Sequence, residues 1–197
     1  ISSSQQVLYE MTEWLRDRHG IHVLGALGFE NAYALAMARE RAEALGIETL
    51  SDLADRSAEL SIGGDYEFFA RPEWFSVRDR YGMQFRAKRS FDSSLMYTAV
   101  AEGHVDVISA FSTDGRISAF DLVVLDDPLS ALPPYDAVLL LSESAASSPR
   151  VVAALEPLVG RLDDETMREA NRRVDIDSNS PDEVARALAE SLPGSDP

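Results

Sequence analysis

The chain has 197 residues, 45% hydrophobic and 26% charged, which is enough to bury the core of one large or two small domains. Its net charge of −16 argues against nucleic-acid binding, because phosphate contacts need a surplus of lysine and arginine. It has no cysteine, which excludes disulfides and thiolate chemistry, and no apolar run approaches the roughly 20 residues of a membrane helix.

The first half of the chain alternates helical and extended patterns. Apolar residues at helical spacing predict a helix from Ser3 or Ser4 to His19, with Trp14 on its core-facing stripe and Gly20 as its stop. The predicted elements that follow are strands at 21–27 and 31–38, helices at 39–45 and 51–60, a strand at 61–65, a helix from Pro72 to Tyr81, an edge strand at 84–89 and a helix capped by Asp92.

The stretch from Val105 to Leu125 predicts two apolar strands joined by a polar loop at 112–115. Phe111 stands where the first of these strands ends, and ligands of open α/β sheets bind at the carboxyl ends of strands. Beyond this stretch, the pattern predicts a strand at 137–141 and helices at 148–160, 163–171 and from Pro181 onwards. The alternation of strands and helices predicts an α/β fold.

The sequence carries no recognisable catalytic motif. The histidines His19, His22 and His104 lack metal-ligand spacing, and HExxH, P-loop, GxSxG and GxGxxG patterns are missing. Asp114, in STDG, lies at a predicted strand end, yet Asp-Gly is an ordinary turn signal. The sequence therefore predicts a protein that is not an enzyme and that uses no cofactor or metal.

Aromatic and cationic residues follow several predicted strands, namely Tyr33, Arg71, Phe111 and Tyr135. Aromatic faces attract a quaternary ammonium without requiring a hydrogen bond, and the arginine fork matches a carboxylate. Together they would suit a zwitterion with a bulky cationic head. Packing in the core is the commoner explanation for any one such ring, so the residues alone do not establish a binding site.

These residues lie in segments that resemble the solute-binding proteins of osmoprotectant ABC transporters, the glycine betaine/carnitine/choline-binding family. The matching segments are LGFENAYALAMARERAEALGIETLSDLA at 27–54, IGGDYEFFARPEW at 62–74, LMYTAVAEGHVDVISAFSTDGRISAFDLVVLDD at 95–127, PPYDAVLLL at 133–141 and the tail LDDETMREANRRVDIDSNSPDEVARALAE. The succession of TDGRI, FDLVVLDD and PPYDA is the most specific part of the resemblance.

The resemblance implies a type 2 periplasmic-binding-protein fold, a two-lobe clamshell that closes on its ligand. Residues 1–27 and 114–197 would form the remnant of the first lobe, and residues 28–113 would form the inserted second lobe. Family members begin with a strand–helix–strand–helix portion of the first lobe that this sequence does not show. The first lobe is therefore expected to be incomplete within this chain.

The resemblance also implies a set of ligand-binding residues. Tyr33 and Tyr135 match rings of an aromatic box around the trimethylammonium group, and Arg71 matches the arginine that holds the ligand's carboxylate. Phe111 stands where many members have tyrosine, so it keeps the π-face and loses the hydroxyl. The polar residues of the implied site are Asn31 and Thr113.

The implied function is that of an extracytoplasmic substrate-binding protein or domain of an ABC importer for quaternary-amine osmoprotectants such as glycine betaine, choline or carnitine. Its partners would be the membrane permease subunits, and a lipid anchor or the permease would hold it at the membrane. The alternative is an interaction or regulatory module that keeps the fold without binding solute. In that case a second chain could supply the missing portion of the first lobe, giving an oligomer.

Overall fold

The structure is a computed structural model that describes residues 4–192, apart from the side chain of Ser4. Its helices are α1 (Ser4–His19), α2 (Arg39–Leu45), α3 (Leu50–Arg56), α4 (Pro72–Tyr81), α5 (Met96–Ala101), α6 (Gly115–Ala119), α7 (Glu143–Ala146), α8 (Pro149–Leu155), α9 (Asp164–Asp175) and α10 (Pro181–Ser191). Its strands are β1 (His22–Glu30), β2 (Tyr33–Ala38), β3 (Ser61–Asp65), β4 (Ala87–Phe91), β5 (Val107–Phe111), β6 (Leu122–Val124) and β7 (Asp136–Leu141). The predicted α/β class is confirmed.

The described chain divides into two compact units. We call Ala32–Pro133 the central unit, and residues 4–31 with 134–192 the flanking unit. The predicted lobe boundary after residue 113 falls inside the central unit, which continues beyond it through β6, the partner of β2. The assignment of the chain to two lobes stays a prediction.

The central unit is built on a mixed five-stranded sheet with the order β4-β3-β5-β2-β6. Strand β3 runs parallel to β4 and β5, whereas β2 runs antiparallel to β5 and β6. Neighbouring residues of a strand point to opposite faces, and Leu35 and Ala36 belong to different buried clusters. The sheet is therefore covered on both faces, as is usual for strands with parallel pairing.

Local end signals set several helix boundaries in the central unit. Gly46 closes α2 in the left-handed conformation at φ 67°, and Thr49 begins α3 with a reciprocal capping box to Asp52. Pro72 occupies the first turn of α4, as the sequence predicted. Strand β4 lies at the edge of the sheet, so the predicted edge strand is confirmed with a shift of its bounds to Ala87–Phe91.

The polar loop predicted after β5 does not lead directly into a second strand. The short helix α6 intervenes, because the Asp114 carboxylate accepts a hydrogen bond from the Arg116 amide at 2.9 Å and caps a helical turn. Ile117 is buried on this helix, in the same cluster as Leu122 of β6. The residues that follow the Asp114 cap thus form a short helix and then a strand, where the sequence predicted a strand alone.

The flanking unit contains a two-stranded antiparallel sheet of β1 and β7, with α1 and α9 packed against β1. The prediction that Trp14 lies in the core is wrong, since its side chain is 56% exposed. Its ring contacts His19 with centroids 4.6 Å apart, and neither buried cluster of the described residues includes a residue of α1. Leu8, Met11 and Leu15 of the same stripe are partly buried, so only part of the predicted stripe is covered and Trp14 lies outside that part. The predicted capping at Ser3 lies outside the described residues.

Candidate ligand-binding site

Tyr33 and Phe111 form a ring pair at one end of the central sheet. They are directly opposed in the antiparallel register of β2 and β5, and their ring centroids lie 4.9 Å apart with planes at 34°. Tyr33 begins its strand and Phe111 ends its own, so both lie at the edge where the parallel strands β3 and β5 have their carboxyl ends. This is the edge at which open α/β sheets bind ligands.

The hydroxyl of Tyr33 is held by the carboxylate of Asp65, the last residue of β3. Tyr33 donates to Asp65 Oδ2 at 3.2 Å, while Asp65 Oδ1 accepts from the amides of Glu67 and Phe68 at 2.8 and 2.9 Å. Burial, and then the negative charge of Asp65, raise the pKa of Tyr33 from 10.0 to about 12. At neutral pH Tyr33 is therefore a protonated donor whose ring position is fixed by the turn after β3.

We expect Tyr33→Phe to remove one phenol that ionises near pH 12, the pKa to which burial and the charge of Asp65 raise Tyr33. Because the folded pKa lies above the unfolded value, the stabilisation from keeping this proton is complete below pH 10 and is lost as the pH rises towards 12. Spectrophotometric titration of both proteins measures the difference. Tyr9→Phe, which removes an exposed phenol on α1, is the matched control; a Tyr33→Phe protein that keeps the full absorbance change near pH 12 would contradict the assignment.

Arg71 lies beside this ring pair, at the residue that precedes α4. Its guanidinium carbon is 5.3 Å from the centroid of Tyr33. Its Nε and Nη2 atoms donate to the two carboxylate oxygens of Glu73 at 3.2 and 3.1 Å, and its Nη1 lies 3.8 Å from Glu67. The Glu73 side chain is 5% exposed and that of Arg71 is 38% exposed. A two-pronged ion pair thus orients the guanidinium next to the aromatic ring.

Tyr97 of α5 holds the backbone of Phe111 through a hydrogen bond. The Phe111 amide donates to the Tyr97 hydroxyl at 3.2 Å, and the Arg116 guanidinium lies over the Tyr97 ring at 4.2 Å. Burial raises the pKa of Asp114, but hydrogen bonds from Arg116 outweigh it and bring the pKa below its usual value. Asp114 is therefore an ion-paired helix cap, which accounts for it without a catalytic role.

The ring pair also rests on the core. Phe68 is fully buried, with its ring centroid 5.2 Å from that of Tyr33 and 5.6 Å from that of Trp74. Phe69 completes this group, and Lys88 lies 5.8 Å from the ring centroids of both Phe69 and Trp74. Phe68 and Trp74 thus form a buried aromatic layer next to the ring pair, whereas Phe69, like Tyr33 and Phe111, is partly exposed.

The remaining candidates fall in different parts of the fold. Thr113 is buried directly after β5 in the central unit. Asn31 and Tyr135 belong to the flanking unit, where the Asn31 amide donates to the Tyr135 carbonyl at 3.2 Å and the Tyr135 ring is exposed. The structure therefore brings Tyr33, Arg71 and Phe111 together in one unit, and Asn31 and Tyr135 together in the other.

Sequence reasoning missed Asp65 and Glu73, the two carboxylates that hold Tyr33 and Arg71. A signal for Glu73 was present in the chain, because a proline followed by an acidic residue is typical of a first helical turn. The pairing partner itself could not be predicted from this signal. Within residues 4–192 no cluster of acidic and histidine side chains is arranged to hold a metal ion, and no helix is long and apolar enough to cross a membrane.

Comparison with known proteins defines the class. A family model described as the substrate binding domain of ABC-type glycine betaine transport systems matches residues 5–191. The chain belongs to this family, and the resemblance inferred from its sequence is confirmed. A crystal structure described as a glycine betaine/carnitine/choline ABC transporter superposes with a TM-score of 0.91 and 28% identity, covering 96% of this chain and 71% of that one.

Two curated relatives show the range within the class. A glycine-betaine-binding protein of Pseudomonas aeruginosa is 35% identical over 190 residues, which cover 90% of this chain and 61% of the relative. An ergothioneine transport permease/ergothioneine binding protein of Helicobacter pylori is 34% identical over 171 residues, which cover 86% of this chain and 31% of the relative. The chain therefore spans about three fifths of the first relative and less than a third of the second.

Proposed function

We propose that this chain belongs to the substrate receptor of an ABC importer and binds a quaternary amine such as glycine betaine, choline or carnitine. The ring pair of Tyr33 and Phe111, at the ligand-binding edge of the sheet, is the observation that supports it most strongly. Aromatic faces attract a cation that cannot donate hydrogen bonds, with an energy of about 0.5–2 kcal/mol per contact. The solutes named for the relatives share a trimethylammonium group, which fits such a pair.

Each candidate residue has a role in this proposal. Tyr33 and Phe111 would form walls around the ammonium group, and Arg71 would meet the carboxylate of a zwitterionic ligand. Phe111 lacks a hydroxyl, so its contribution is confined to its face and edge. The further ligand-binding residues of the proposal are Asn31, Thr113 and Tyr135.

The proposed partners are the membrane permease subunits of the transporter. One relative is named as both a transport permease and a binding protein, which supports a permease as the partner. The proposed location is extracytoplasmic, with the domain held at the membrane by a lipid anchor or by the permease. No enzymatic step is proposed, since the curated relatives are named as binding and transport proteins.

Isothermal titration calorimetry of the protein in its natural full length, with glycine betaine, choline, carnitine and ectoine, tests the proposal. We expect heat of binding with at least one trimethylammonium compound. Phe111→Leu should weaken that binding about tenfold, because leucine keeps apolar volume but has no π-face. Phe111→Tyr keeps the ring and is the matched control, with less than a threefold expected change.

Absence of heat with every ligand, from a folded wild-type protein, would contradict the proposed function. It would favour the alternative of an interaction or regulatory module. Equal affinity of the Phe111→Leu and Phe111→Tyr variants would remove Phe111 from the site while leaving the proposed ligand class in place. Thermal melting of each variant shows whether it is folded.

A further inference from the structure

We propose that Glu73 is the resident counter-ion of Arg71 and that it gives the site a preference for quaternary amines without a carboxylate, such as choline, over zwitterions such as glycine betaine. This inference rests on the proposed function, in which Arg71 faces the anionic end of a ligand. It deepens that function by assigning the charge class of the solute to one buried side chain.

The geometry of the ion pair is the first support. Glu73 accepts from the Nε and Nη2 edge of Arg71 through both of its oxygens, at 3.2 and 3.1 Å. This edge is one of those with which a guanidinium binds a carboxylate in two-pronged fashion. The carboxylate of a ligand therefore approaches an arginine that already holds a carboxylate on one of its binding edges.

Burial strengthens the ion pair between Glu73 and Arg71. The Glu73 side chain is 5% exposed, so solvent screens its charge less than that of a surface residue. Removing Glu73 from Arg71 would leave a buried carboxylate without its partner, which is costly. A ligand carboxylate is thus expected to share Arg71 with Glu73 rather than to displace Glu73.

The other charges around the ring pair also favour a cationic ligand over a zwitterion. Glu67 lies 3.8 Å from Arg71, and Asp65 accepts a hydrogen bond from the Tyr33 hydroxyl. Lys88, the other cation of this aromatic region, lies over Phe69 and Trp74. Two carboxylates, those of Glu67 and Glu73, therefore lie against one guanidinium, and a third, that of Asp65, lies against the Tyr33 hydroxyl. This excess of negative charge beside Tyr33 attracts a net cation more than a neutral zwitterion.

A purely structural role for Glu73 predicts a different result. As an acidic residue in the first turn of α4, Glu73 also complements the helix dipole. Weakening that contribution would disturb the site for every ligand alike. The charge role instead predicts opposite changes for the two ligand classes, so a comparison of two ligands separates the two roles.

The test is Glu73→Gln, measured by calorimetry with choline and glycine betaine on the protein in its natural full length. Glutamine keeps the shape and one acceptor oxygen for Arg71, and it removes the charge. We expect the affinity for glycine betaine to rise roughly tenfold and the affinity for choline to fall roughly threefold, because one buried negative charge is lost. Glu73→Asp, which restores the charge, should return the preference towards choline.

The charge-matched control is Glu59→Gln. Glu59 pairs with Arg56 at 3.3 Å on the surface of the same unit and is 71% exposed, so its loss should leave both affinities unchanged. A change of the same sign and size for both ligands in Glu73→Gln would overturn the inference and leave the proposed function standing. Failure of the folded wild-type protein to bind either choline or glycine betaine would overturn the inference, and failure to bind carnitine and ectoine as well would overturn the proposed function.

Discussion

Replacing Phe68 by alanine is expected to lower the free energy of unfolding of the central unit by about 4 kcal/mol. Phe68 is fully buried between Tyr33 and Trp74, and truncation leaves a cavity beneath the candidate binding ring. Tyr33 would then lose the surface on which it rests. We therefore expect a loss of ligand binding that exceeds the loss expected for Phe111→Leu.

Trp74 provides the measurement, because its ring contacts Phe68 and the chain has only one other tryptophan. In a Trp14→Phe background, urea denaturation followed by Trp74 fluorescence reports on the central unit alone. Phe75→Ala removes an exposed ring from the same region and should cost less than about 1 kcal/mol. If Phe68→Ala cost no more than this control, the buried aromatic layer would not be the support of the site.

Replacing Gly28 by alanine is expected to lower the stability of the flanking unit by about 3 kcal/mol or more. Gly28 has φ +111°, a conformation that residues with a side chain rarely adopt. A Cβ atom there would lie 2.5 Å from the carbonyl oxygen of Leu162, whose own amide donates to Leu27 of β1 at 3.1 Å. The segment before α9 can therefore follow β1 only because position 28 has no side chain.

Gly160→Ala separates the effect of backbone strain from the effect of the steric clash. Gly160 also has a positive φ, of +67°, but no heavy atom lies within 4 Å of a Cβ placed there. We expect it to cost about 1 kcal/mol from backbone strain alone. Hydrogen exchange of the amides in the β1–β7 ladder measures both variants, and similar protection in the two would contradict the proposed clash at Gly28.

Elements with local end signals could be predicted from the sequence almost to the residue. Helix α2 ends at Gly46, and Pro72 lies in the first turn of α4, because glycine and proline restrict the backbone wherever they occur. Strand β3 was also predicted with its observed bounds, Ser61–Asp65. These features depend on a few neighbouring residues, so their sequence signals need no knowledge of the rest of the fold.

Features that depend on tertiary contacts were predicted less well. Trp14 has the spacing of a core residue, yet its exposure depends on which elements cover α1. Helix α6 forms because Asp114 caps it and Ile117 finds a buried partner, and an apolar run alone does not reveal this. The contribution of a side chain to stability cannot be predicted from the pattern either, because its burial depends on the neighbours that pack against it.

In the candidate site too, some residues could be predicted from the sequence and others depend on the fold. The family resemblance identified Tyr33, Arg71 and Phe111, and the structure places these three residues together. It could not identify Asp65 and Glu73, because carboxylates are frequent in this acidic chain and only the fold selects those that meet a particular hydroxyl or guanidinium. Their functional roles, like those of the whole site, stay predictions that the binding experiments test.

The double use of Asp65 has a consequence for how this site can vary among related chains. One oxygen holds the turn that leads to Arg71, and the other holds the hydroxyl of Tyr33. A lineage that replaced Tyr33 by phenylalanine would keep the turn, whereas a lineage that lost Asp65 would release the turn and the ring at once. We therefore expect solute preference to diverge through position 33 before position 65 changes.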